Sequence, residues 1–379
     1  MRRVAQTVAI VATLWLLFQD GARNARAQIA PSASSDATEE HTLLVAADRD
    51  PGNVEVVGSL GKLYLSKGKW LDSLRWLTKA NVLSPGDESI RYDLAVAYMQ
   101  AGELQSARRQ MQDMLVQTDS AKLHNLLGGI EDRRGNFVDA ATEYHCAAEI
   151  DPTESNIFDL ATFLLQHKKY VGFLDDSIKF FRYGAAQYPR SSQMMVGLGV
   201  ALYAASEYDE AVRVFCAAVD LDPTDMRPIQ FLGRASRVSP NLTKEVDRRL
   251  QNFAQRYPKN AATNYFYALS LWERGGGEEG KGLEKIERLL RKATVLSPGW
   301  YEPHYQLGVL FEAEGRTVDA ISEFKNAIRI DSDFFPAHFR LAVLYRRTGQ
   351  RSRAIAEAET VKQLKEKDNE SEAAHDVTK

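Results

Sequence analysis

The feature that most constrains this chain is a repeat. Leu60-Gly61-x-x-Tyr64, Leu94-Ala95-x-x-Tyr98, Leu307-Gly308-x-x-Phe311 and Leu341-Ala342-x-x-Tyr345 fall into two pairs, and 34 residues separate the members of each pair. Related starts at Leu127-Gly128, Leu160-Ala161, Leu198-Gly199, Leu232-Gly233 and Tyr267-Ala268 complete nine units, beginning near residues 54, 88, 121, 154, 192, 226, 261, 301 and 335. A period of this length marks a stack of small supersecondary units, none of which buries its apolar face alone.

Each unit reads as two helices. A turn residue such as Gly68, Gly102, Gly135, Gly275, Gly315 or Gly349 follows the first apolar-periodic stretch and supplies the left-handed backbone that ends a helix. A second stretch carries small residues seven apart, as in Ser73 and Ala80, Ala140 and Ala147, Ala211 and Ala218, or Ala320 and Ala327. Pro85, Pro152, Pro189, Pro223, Pro258 and Pro298 then close most units, because proline cannot continue a helix. Pro51 ends an incomplete unit ahead of the first. The small residues let paired helices approach while Leu, Tyr and Phe fill the space beside them.

This pattern resembles the tetratricopeptide repeat family. The resemblance implies an all-α, right-handed solenoid over 41–367 whose first helices line a concave groove for a protein or peptide segment. Inward positions of the first three units hold Gly58, Lys62, Tyr92, Val96, Asn125 and Gly129. They lack the Lys and Asn set with which some cochaperone relatives clamp a terminal carboxylate. Extra residues fall at the turn of the fourth unit, around Val171-Gly172-Phe173-Leu174, and of the seventh, at Gly275 to Gly282. The sixth unit is the weakest match, with Val238-Ser239-Pro240 where its first helix should end and Val246 and Phe253 at the small-residue sites.

Ahead of the repeats, Arg2 and Arg3, the apolar run Val8 to Phe18 and Ala25-Arg26-Ala27 read as a secretory signal peptide over 1–27. The mature chain would start at Gln28, and the protein is expected to be exported, periplasmic or secreted. The run is too short for a permanent membrane span, which needs about 20 apolar residues. Residues 28–40 read as an exposed linker and 368–379 as a disordered tail.

Chemistry leaves little trace. With 48 Lys+Arg against 51 Asp+Glu the net charge is -3, so there is no basic footprint for nucleic acid. Gly275-Gly276-Gly277-Glu278-Glu279-Gly280-Lys281 matches the start of a phosphate-binding loop, but Gly282 stands where a hydroxyl would hold magnesium and a helix precedes it. His124, His304 and His338 recur at one place in their units; as metal ligands they would be too few without further donors. Cys146 and Cys216, two units apart in second helices, are too distant for a disulfide and read as buried small hydrophobes. Neither a catalytic residue nor a cofactor or metal site is expected.

Aromatic and Arg side chains are the common anchors of binding surfaces. Tyr265, Trp272, Tyr305, Phe339 and Arg346 are therefore expected on the concave face of the last units, with Arg227, Arg234 and Arg237 as a second candidate patch and Glu323 as an outward charge. The leading reading is a non-catalytic exported scaffold, in one form an envelope assembly factor, that binds a protein or peptide. The alternative is an enzyme or accessory subunit acting on an extracytoplasmic polymer such as an envelope glycan.

Overall fold

The computed structural model describes residues 33–235, 243–273 and 281–377. The leader expected at 1–27, Arg237, Pro240 and most of the glycine-rich loop after Glu273 lie outside the described residues. Among those described there are helices and no strands.

The chain divides into two compact units, Met1–Ser206 and Glu207–Lys379. The periodicity runs through that division unmarked, because it reports the local pattern of each hairpin. In the first unit α1 (Ala33–Arg49) precedes the hairpins α2 (Val54–Ser66) with α3 (Trp70–Leu83), α4 (Glu88–Ala101) with α5 (Leu104–Leu115), α6 (Ala121–Arg133) with α7 (Phe137–Ile150), and α8 (Glu154–Gln166) with α9 (Phe173–Gln187); α10 (Ser192–Ala204) follows. The second unit holds α11 (Tyr208–Leu221), α12 (Arg227–Ala235) and α13 (Thr243–Arg256), then α14 (Ala261–Glu273) with α15 (Lys281–Leu296), α16 (Tyr301–Ala313) with α17 (Thr317–Ile330), and α18 (Phe335–Arg347) with α19 (Arg351–Val377).

Within a hairpin the small residues do what the pattern implies. Ser73, Ala80, Ala140, Ala147, Ala211, Ala218, Ala320 and Ala327 are all fully buried. In α16 a Cβ on Gly308 would lie 2.6 Å from the Phe324 ring, so only glycine admits that aromatic. Where serine takes the small position, its hydroxyl is satisfied by the facing helix: Ser73 Oγ donates to the Gly61 carbonyl at 2.8 Å and Ser177 Oγ to that of Ala161 at 2.7 Å. At the turn after α4, Gly102 takes φ 84° and closes the helix. The fifth repeat does this with Ser206, a non-glycine at φ 66°.

Two boundaries differ from expectation. Residues 33–40 of the expected linker belong to α1, the second helix of the incomplete unit ahead of Pro51. Leu43, Leu44 and Ala47 pack on Leu60 and Tyr64, while Glu40 accepts from Tyr64 Oη at 2.9 Å and Lys67 Nζ at 2.7 Å. The expected disordered tail is helical to Val377, continuing α19. Polar composition predicted its solvation but not its conformation: Glu370, Glu372, Ala373 and Ala374 are good helix formers and extend a helix already begun at Arg351.

The fourth-repeat insertion packs through the rings beside it, whereas Val171 at its tip is fully exposed. His167 stacks on Phe137 at 4.1 Å and places Nε2 3.0 Å from Asp132, and Tyr170 packs against both Phe137 and Phe173. In the sixth repeat Val246 and Phe253 are buried, so bulky residues do serve at those sites.

Candidate functional site

The residues expected to share one concave strip divide into three kinds. Tyr265 is only 6% exposed; its ring lies 4.6 Å from that of Trp300 and 4.9 Å from Phe266, so it is a packing residue and not a groove anchor. Helical spacing correctly put it on α14 but could not register the neighbouring hairpin that covers it. Tyr305 is half-buried, in contact with Phe324 at 5.6 Å and perpendicular to Phe334 at 5.1 Å, and Trp272 is half-buried on α14. Phe339 and Arg346 are exposed, about two helical turns apart on the same face of α18, and line the same open groove.

That groove runs between α18 and α19 and has a volume of about 580 Å³. Ala354 and Ala358 lie on its α19 side, and Ile355 and Val361 extend the apolar surface. Arg346 and Arg351 provide charge at its lining, and neither meets a carboxylate among the described residues. Ile355, Ala358 and Arg351 were missed in the sequence, although a 34-residue offset would have revealed Ala358 where the preceding repeat has Phe324.

The second patch does not assemble in the same way. Arg227 is tied to its own turn, with Nη2 2.8 Å from Asp225 Oδ2 and Nε within 3.0 Å of both carboxylate oxygens. Arg234 follows on α12, and Arg237 lies outside the described residues.

The recurring histidines are accounted for by pairs within hairpins. His124 Nδ1 lies 2.6 Å from Glu143, His304 Nδ1 2.7 Å from Glu323 and His338 Nδ1 2.6 Å from Glu357, each 19 residues apart. Each imidazole is thus bound across its own hairpin, and no metal-like cluster occurs among the described residues. Glu323 is correspondingly inward and not the free outward charge expected. Burial opposes protonation of His124, but hydrogen bonds to Glu143 and Asp119 outweigh it and raise its pKa. In the same unit burial raises the pKa of Asp159, against the hydrogen bond from Asn125, and that of Asp93, against Lys62. Cys216 is buried as expected and Cys146 only half-buried, and neither forms a disulfide.

Two models described as tetratricopeptide repeat match the sequence, one at 59–121, 92–155 and 166–225 and the other at 312–376, together more than half of the chain. The chain belongs to the tetratricopeptide repeat family. Among solved tetratricopeptide repeat structures, the C-terminal part of a repeat-containing protein from Cytophaga hutchinsonii is 14% identical, with a TM-score of 0.47, covering 73% of this chain and 95% of that one. YrrB, described as having an unusual peptide-binding site, is 17% identical with a TM-score of 0.39, covering 50% and 96%. A tetratricopeptide repeat protein from Parabacteroides merdae is 13% identical with a TM-score of 0.42, covering 64% and 93%. No curated protein sequence matches. Among the described residues of this tetratricopeptide repeat protein, no helix is long and apolar enough to cross a membrane.

Proposed function

We propose that the protein is an exported, non-catalytic scaffold that holds a protein or peptide segment, acting as an assembly factor at the cell envelope. Protein binding is supported above all by one observation: Phe339, 51% exposed, and Arg346 share an open, mainly apolar groove in a repeat family whose units expose their helices side by side. An aromatic beside an arginine combines apolar burial with a charge-assisted hydrogen bond, the usual composition of an interface anchor. Export is supported by the charged start, apolar run and Ala25-x-Ala27 of the leader.

The full chain and its Phe339→Ala/Arg346→Glu variant, immobilised side by side, should differ at least about tenfold in partner recovered from a native envelope extract, equivalent to about 1.4 kcal/mol. Equal recovery by a variant with unchanged helicity and melting would remove the groove from the binding surface. N-terminal sequencing of protein from the native host should begin at or beside Gln28. An intact Met1 in a soluble cytoplasmic fraction would end the export reading.

A further inference from the structure

Successive first helices meet the next repeat at fixed positions. The fifth residue of a first helix meets the residue just ahead of the next first helix: Tyr265 meets Trp300 at 4.6 Å and Tyr305 meets Phe334 at 5.1 Å. The twelfth residue also reaches forward, Glu312 Oε2 lying 3.1 Å from Arg340 Nη1 on α18. In the last hairpin those two positions are Phe339 and Arg346, and no described residue meets them in this way. Between the helices, Phe324 is fully buried in the α16–α17 hairpin, whereas its 34-residue equivalent is Ala358, exposed on α19. Ile355 beside it is 70% exposed. The groove is therefore the place of a following first helix, enlarged by the missing aromatic.

We infer that this groove takes an α-helix of a partner protein, one that brings a large apolar side chain over Ala358 and a carboxylate opposite Arg346. The inference rests on the protein-binding reading above and names the partner's chemistry. A helix satisfies its own backbone hydrogen bonds, whereas an extended strand laid between α18 and α19 would find no free backbone donors or acceptors there. The charge requirement follows from an inversion. At the preceding joint the receiving helix offers a carboxylate, Glu312, and the incoming one an arginine, Arg340. Here the receiving position is Arg346, so the incoming helix must supply the acid. A helix like α18 itself would set Arg340 against Arg346, a like-charge pair that disfavours stacking of the chain's own repeat.

The probe is a helix-stapled, fluorescent peptide copying residues 331–350 with Arg340→Glu, compared with the same stapled peptide carrying the native arginine. Anisotropy with the full chain should show the Glu peptide binding at least about tenfold more tightly, and Arg346→Glu in the protein should reverse that order. Ala358→Phe restores the side chain that the preceding repeat presents as Phe324 and should tighten both α18-derived peptides, whereas Ile355→Asp, at a position 70% exposed in the groove, should abolish binding of both without lowering the melting temperature. The inference is overturned if neither peptide binds at about 0.1 mM protein, a limit well above the affinity of a specific interface. It is equally overturned if both bind alike to native and Arg346→Glu protein. Sedimentation showing a dimer of the full chain that Ile355→Asp dissolves would make the occupant a second copy and also overturn it. Partner capture that Ile355→Asp leaves intact would preserve the protein-binding reading while removing this site.

Discussion

In the first unit the residue ahead of each first helix is polar and caps it: Asn53, Asp87, Ser120, Thr153 and Ser191 accept hydrogen bonds from the backbone amides of Val56, Ile90, Leu123, Asn156 and Met194. In the second unit Asn260 still caps α14, but Trp300 and Phe334 occupy the same place ahead of α16 and α18 and make no such bond. Their rings pack instead on Tyr265, Phe266, Tyr301 and Tyr305 of the preceding helices. Ties between hairpins are mixed in both units: the first joins Lys62 to Asp93 at 3.5 Å and Asn125 to Asp159 at 3.1 Å but also sets the Tyr144 and Phe163 rings 5.0 Å apart, and the second adds the Glu312–Arg340 ion pair to its aromatic joints. A lost cap costs about 1 kcal/mol. An aromatic pair returns about 0.5 to 1.5 kcal/mol beyond burial. The two solutions are close in energy but differ in dependence. A polar cap is completed within its own helix, whereas an aromatic joint needs a neighbour. Phe339 occupies the receiving position of such a joint.

The largest effect is expected at Trp300. Trp300→Ala should destabilise the second unit by about 3 kcal/mol, near the low end for loss of a large aromatic because the ring is only half-buried. Hydrogen exchange should show the loss in α14 and α16 first, and full protection in Trp300→Ala would show that the aromatic joint contributes nothing. Trp300→Asn, which offers a polar cap, should recover about 1 kcal/mol of that loss. In the first unit Asp87→Ala should cost about 1 kcal/mol, confined by the same measurement to α4 and its neighbours. A larger or more distributed loss would mean that the polar cap also acts between hairpins.

Ser206→Gly should stabilise by up to about 1 kcal/mol, because a non-glycine residue is penalised in the left-handed region. A lower denaturation midpoint would show that contacts of the serine side chain outweigh backbone relief. The smallest effect concerns pH. His124 has a folded pKa raised above the unfolded value of about 6.5, so its contribution is fully present below that value and falls as pH rises through the folded pKa. The first unit should therefore lose a little stability from neutral to mildly alkaline pH, and His124→Gln should flatten that part of the profile in denaturant titrations. An unchanged slope would exclude the Glu143 and Asp119 pairings as its source.

The His and Glu pairs show where sequence reading stopped short. His124 with Glu143, His304 with Glu323 and His338 with Glu357 repeat one spacing of 19 in three units, a signal as regular as the Leu-Gly pairs. The signal is hard to read because residues 19 apart sit on two different helices, and only the hairpin turn brings them into contact. The extent of α1 was hidden for another reason. Ala, Ser, Pro and acid suit a linker, and only Glu40 meeting Tyr64 and Lys67 makes that segment part of the fold.

What the sequence alone determined is the hairpin: its all-α class, its phase and the burial of Ala320, Ala327 and their equivalents. Those contacts close within 34 residues, so a local pattern of small, apolar and turn residues is sufficient to specify them. Only the tertiary structure decided which aromatics remain available. Tyr305 and Phe339 occupy the same repeat position 34 residues apart, yet Phe334 covers the first and the second lies half-exposed beside Arg346. Exposure belongs to a side chain together with whatever stacks against it, and the partner at that position comes from the next unit.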